Sequence, residues 1–118
     1  MSDANIPALL EELWEVDFET WKDIRFLLLN SMMFSEPREI PLEQHIYHDI
    51  IQGCIQRVIA AQGWMPIISL HWVGIERKIP VWYVDIRDHE NFTIKSHQAD
   101  TPAAAILAAY IEAVRARQ

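Results

Sequence analysis

Apolar residues recur first at helical spacing, then at alternate positions, then at helical spacing again. From Ile6 to about Val16, Leu9, Leu10, Leu13 and Trp14 form a stripe, with Glu11, Glu12 and Glu15 outside it and Asp3 placed to cap. A first helix with a solvated acidic face is predicted. A second segment starts at Asp17 or Thr20 and runs to about Met33, with Trp21, Ile24, Leu28 and Met32 spaced for one face. Within it, Ile24 to Leu29 reads equally as helix or buried strand, because short apolar runs do not separate the two. Ser35 to Pro41 reads as a loop, and Pro41 suits the first turn of the next helix.

That helix, from about Pro41 to Gln62, carries Leu42, Ile46, Ile50, Cys54 and Val58 at every fourth position, with Tyr47, Ile51, Ile55 and Ile59 on the adjoining row. Gly63 ends it in the left-handed conformation that glycine tolerates. The period then becomes two. Ile68, Leu70 and Trp72 oppose Ile67, Ser69 and His71 on a strand from Pro66 to about Val73. A second strand, Lys78 to Arg87, sets Trp82, Val84 and Ile86 against Val81, Tyr83 and Asp85, and Pro80 belongs at its start or on an edge. Asp88 to Asn91 is a polar turn into a third strand, Phe92 to Ser96. Thr101 caps a closing helix from Pro102 to about Arg115, with Ile106, Leu107, Tyr110, Ile111 and Val114 as its stripe. The predicted fold is α+β: N-terminal helices, a long central helix, a three-stranded antiparallel meander and a C-terminal helix packed on the sheet. One domain spans 1–118, with an acidic helical part over 1–35 and an α-β-β-β-α core over 41–117.

A chain of 118 residues, 51% hydrophobic and 23% charged, is long enough to bury a core. The apolar run Phe26 to Phe34 falls short of the roughly 20 residues a bilayer needs. Met1-Ser2-Asp3 opens without the basic and apolar regions of a signal peptide. The single cysteine, Cys54, allows no internal disulfide and fits a reducing cytoplasm, where the protein is expected. Most of the five tryptophans are expected in the core.

Charge is distributed unevenly. Residues 1–50 hold eleven acids and three bases, a net −8, within an overall charge of −7. A one-signed region steers basic partners in and repels nucleic acid, so direct nucleic-acid binding is not expected.

Candidate chemistry is sparse. His45, His48 and Asp49 share a helix face and form a candidate metal pair with a neighbour, though they lack the His-Glu-x-x-His spacing of a zincin. Glu76-Arg77-Lys78 contains the Glu-x-Lys of one nuclease core. No acid lies between Asp49 and Glu76 to complete it, so a turn is predicted. Asp85, Asp88, His89 and Glu90 read as a polar hairpin rather than a cation site. Cys54 lies on an apolar stripe, where its thiol pKa is raised. His97 has no assigned partner, and no glycine-rich phosphate loop occurs.

Residues 43–116 resemble the small αβα-sandwich domains of phage and prophage accessory proteins. The residues that carry the resemblance are the helix ending Gly63-Trp64, the strands Ile67 to Val73 and Pro80 to Asp85, and the tail Ala99 to Ala109. That family brings no agreed activity or catalytic residues; it implies a mobile-element origin.

The leading expectation is therefore a non-enzymatic binding protein of phage or mobile-element origin, without cofactor or metal. It would dock Glu11, Glu12, Glu15, Asp17, Glu19, Asp23, Glu36 and Glu39 on the basic surface of a nucleic-acid-handling complex, as an anti-CRISPR-like inhibitor would. Two alternatives are a metal-dependent hydrolase using His45, His48 and Asp49, and a self-associating structural phage protein. In the second, surplus tryptophans and the Phe26 to Phe34 segment form a homodimer interface.

Overall fold

Asp17 is the hinge between the first two helices, α1 (Ile6–Val16) and α2 (Phe18–Ser31). Its Oδ1 accepts the Thr20 backbone N–H at 3.2 Å and its Oδ2 the Thr20 hydroxyl at 2.6 Å, which caps α2 and turns the chain into an αα-hairpin. This computed structural model describes residues 6–31 and 45–117, and side chains over 6–28 and 48–117. The segment Ile24 to Leu29 is helix, and it buries Ile24 and Leu28. Asp3, Met32, the loop Ser35 to Pro41 and Leu42 lie outside the described residues.

Helix α3 (His45–Ala61) buries Ile51, Cys54, Ile55 and Ile59, while Ile50 and Val58 are only half-buried. The core therefore meets the seam between the two predicted rows and leans toward the Ile51, Ile55, Ile59 side. The helix ends at Gly63 (φ 80°), where Gly63 N–H donates to the Ala60 carbonyl at 3.0 Å and Trp64 N–H to that of Ile59 at 3.1 Å, a Schellman pair.

Strands β1 (Met65–Val73), β2 (Ile79–Arg87) and β3 (Thr93–Ala99) form an antiparallel sheet in the order β1-β2-β3. The β1–β2 turn needs Gly74 (φ 108°), because a Cβ there would overlap the Arg77 carbonyl oxygen. Register pairs Ile68 with Val84, Leu70 with Trp82 and Trp72 with Pro80 on the face toward the helices. Strand β3 starts one residue later than expected, leaving Phe92 exposed, and continues past Ser96 to Ala99, which pairs with Trp82. Backbone pairing with β2 carries it through Lys95 to Gln98, where the side chains show no apolar alternation.

Helix α4 (Pro102–Arg117), capped by the Thr101 hydroxyl on Ala104 N–H at 3.2 Å, runs beneath the sheet and contacts all three strands as well as α1 and α3. Sandwiched in this way it buries eleven of its sixteen residues, six of them alanine, rather than one stripe. Helix α2 bridges α1 and α3. One core results, built on α4, with Leu13, Ile24, Ile55, Val84, Ile86 and Tyr110 among its large side chains. Beyond α4 the β1–β2 hairpin continues as an arm: residues 70–80 are exposed throughout, and β3 reaches only as far as Trp82.

Candidate functional site

The acidic residues of the first two helices do not make one face. Helix geometry turns Glu11 and Glu15 outward, and neither has an ion pair among the described residues. Glu12 points toward α4, where the Arg115 guanidinium donates to its Oε1 at 3.1 Å. Glu19 pairs with Lys22 at 3.0 Å on its own helix. Asp23 lines a groove between α2 and α3 together with Phe26, Cys54 and Arg57. Glu36 and Glu39 lie outside the described residues.

Asp17 ties the hairpin to the rest of the fold. Besides capping α2 it accepts the Tyr110 hydroxyl from α4. Burial acts to raise its pKa, but the Thr20 and Tyr110 hydrogen bonds outweigh it and hold the carboxyl below the ordinary range. Burial, reinforced by that carboxylate, pushes the Tyr110 phenol far up, so it stays a neutral donor.

What the hairpin does present is aromatic. Trp14, expected in the core, is 51% exposed and Phe18 is 46% exposed. With half-buried Trp21 they form one cluster: Phe18 stacks on Trp21 at 5.6 Å between centroids, and Trp14 meets both rings edge-on at 6.3 and 6.4 Å. Lys22 lies over Phe18 and Arg25 over Trp21, each 5.9 Å from the ring centroid. Trp14 sits at the edge of the α1 stripe, where sequence spacing does not distinguish core from rim. Its i+4 spacing to Phe18 across the Asp17 cap was the available signal.

The other candidates resolve individually. His48 is half-buried and Asp49 exposed on α3, and the side chain of His45 lies outside the described residues. Among the described residues no group of three or more His, Cys, Asp or Glu is placed to hold a metal ion. Cys54 is buried, which raises its thiol pKa against the opposing charge of Arg57, whose Nη2 donates to Sγ at 3.4 Å. The Asp88 carboxylate is taken up by the backbone N–H groups of Glu90 and Phe92, at 2.9 and 3.0 Å, so the polar hairpin holds itself. Glu76 to Lys78 form the tip of the exposed arm. His97 faces Glu112, Nδ1 to Oε2 3.6 Å, in a depression between α1, α4 and β3.

On the outer sheet face, Ser69 Oγ and His71 Nε2 are 3.0 Å apart and His71 packs edge-on against Tyr83. The nearby Asp85 does not orient this histidine. The Ser96 hydroxyl, then Arg87 and Thr93, engage its carboxylate and hold its pKa below the ordinary range. Ser69, His71, Tyr83, Asp85 and Arg87 line one open cleft on this face, and among the described residues no carboxylate hydrogen-bonds His71 to orient it as a base.

Comparisons with protein-family models, curated proteins and solved structures find no match for this chain. No helix among the described residues is long and apolar enough to cross a membrane.

Proposed function

We propose that the protein is a non-enzymatic binding protein whose α1–α2 hairpin docks on a basic protein surface, with Trp14, Phe18 and Trp21 as the apolar centre and Glu11 and Glu15 as the steering rim. The observation that carries this reading is the exposed, mutually packed aromatic cluster. Burying a tryptophan and a phenylalanine in a partner's pocket supplies binding energy that dispersed carboxylates do not, while unpaired rim acids chiefly raise the association rate. The net −8 of residues 1–50 favours a basic partner. With the phage-domain resemblance, the partner class this suggests is a nucleic-acid-handling complex that the protein inhibits.

Pull-down from host lysate at low and high salt tests the idea. The wild-type protein is expected to retain a basic protein, and the Trp14→Ala, Phe18→Ala double variant to lose it at both salt concentrations. Glu11→Lys with Glu15→Lys is expected to weaken capture mainly at low salt, where screening is least. Retention of no basic protein at low salt, or unchanged capture by the aromatic double variant, overturns the proposal.

A further inference from the structure

We infer that β1 is a homodimer edge: two copies pair antiparallel through Met65–Val73, about a two-fold axis beside Ser69, into one six-stranded sheet. The strand is an outer edge of the sheet, and no described strand pairs with its free side. Edge strands expose unpaired backbone N–H and C=O groups, and proteins blunt them with charges, bulges or brevity. Strand β3 is blunted in this way, with Lys95 and a register shift near Arg87. Strand β1 is nine residues long, carries no Lys, Arg, Asp or Glu, pairs with β2 without a bulge, and has its one proline, Pro66, near an end.

The occupant follows from the strand's own sequence. An axis at Ser69, the middle residue, sets Leu70 against the partner's Ile68, Val73 against its Met65, His71 against its Ile67 and Trp72 against its Pro66. Every cross-strand pair is uncharged, and the inner and outer faces match from copy to copy. A strand without charge has nothing with which to select a charged foreign peptide, but it is complementary to itself. Such pairing also gives the exposed β1 end of the arm, residues 70–73, a neighbour. Trp72, 61% exposed, and Leu70, 41% exposed, lie on the helix-facing side of the sheet, and in the dimer they stand beside the partner's Pro66 and Ile68. A stable dimer needs about 800 Å² from each copy. Met65, Ile67, Leu70, Trp72 and Val73 are the exposed apolar side chains that the strand itself brings to such a contact. The contact is isologous and closes on itself, so it ends at two copies.

Sedimentation equilibrium on the full chain tests this. The wild type is expected to dimerise, and Ser69→Lys and Ser69→Glu each to weaken dimerisation at least about tenfold, because like charges then face each other across the axis. An equimolar mixture of the two variants is expected to recover the dimer as a mixed pair. Far-ultraviolet circular dichroism should be unchanged in both, since Ser69 lies on the outer sheet face. In a second arm, Ser69→Cys should oxidise to a covalent dimer, as facing residues of antiparallel strands lie within disulfide reach, whereas Gln98→Cys on the β3 edge should not. A wild type that stays monomeric at millimolar concentration overturns the inference, and this is also the result expected if the edge serves a foreign strand. Dimers that persist in both charged variants, or no rescue on mixing, overturn it equally.

Discussion

Helix α4 and the α1–α2 hairpin invert the usual relation between side-chain size and burial. The most enclosed element is built largely from alanine, with Ala103, Ala104, Ala105, Ala109 and Ala113 fully buried, while the hairpin leaves Trp14 and Phe18 about half in water. A helix that must touch a sheet and two other helices can do so only if its neighbours approach closely, and small side chains permit that. The centre takes one ring, Tyr110 of α4, while Trp14 and Phe18 stand largely outside, where they are available to a partner. Burial here is decided by how many elements converge on a position, and recognition surface by what that convergence excludes.

Breaking the enclosed side should produce the largest effects. Ile55 is fully buried between α3 and the rest of the core. Ile55→Asp places an unpaired carboxylate there at a cost of several kcal/mol, comparable to the whole stability of a domain this size, and should leave an unfolded circular dichroism spectrum. Ile50→Asp, on the half-buried neighbouring row, should cost visibly less, and equal effects would misplace the core face of α3. Next in size is overpacking: Ala109→Leu adds carbons where neighbours already touch and should lower unfolding stability by about 1–3 kcal/mol in urea titration. If it stabilises instead, α4 is less tightly enclosed than described.

Most elements were legible in the sequence because their signals are local. Gly63 after an apolar helix, alternation around Val84, and Thr101 before Pro102 each identify a cap or a period within a few residues. What was not legible depends on distant partners. Spacing places Ile50 and Ile51 one helical step apart on a broad apolar face, and only the arrival of α4 and α2 decides which of them is buried. Alanines in α4 read as good helix formers, and nothing local marks them as points of close approach. The acids of the candidate site were all visible, but not their fates: Glu12 meets Arg115 and Asp17 meets Tyr110, each about 100 residues further along the chain. The β1–β2 arm shows its two strands in its alternation, yet its exposure follows from where α4 and β3 stop.

The Asp17 junction links the two regions, and pH probes it. Its folded pKa lies below the unfolded value of about 3.8, so its contribution is fully present above that value and is lost as pH falls through the folded pKa. Asp17→Asn keeps an N-cap acceptor but does not titrate. The wild type should therefore exceed the Asn variant by about 1 kcal/mol at neutral pH, the scale of hydrogen bonds to a charged group on a partly exposed side chain. The gap should narrow as pH falls below about 3.8, as measured by urea unfolding at several pH values. A gap that widens on acidification would mean that Asp17 is not the acceptor of the Tyr110 and Thr20 hydroxyls.

Trp14→Ala should move stability least and function most. About half of the side chain is already in water, and what it loses on truncation is its edge-on contacts with Phe18 and Trp21, worth about 1 kcal/mol or less. A tryptophan buried in the core would instead cost about 3–5 kcal/mol when truncated, so thermal unfolding separates a rim position from a core one without knowledge of any partner. A partner captured by the wild-type hairpin should meanwhile bind the variant at least about thirtyfold more weakly, as expected when a central interface aromatic is removed. A large stability loss would return Trp14 to the core and remove the apolar centre of the proposed interface. A small stability loss with unchanged binding would leave the ring exposed and assign recognition to another part of the molecule.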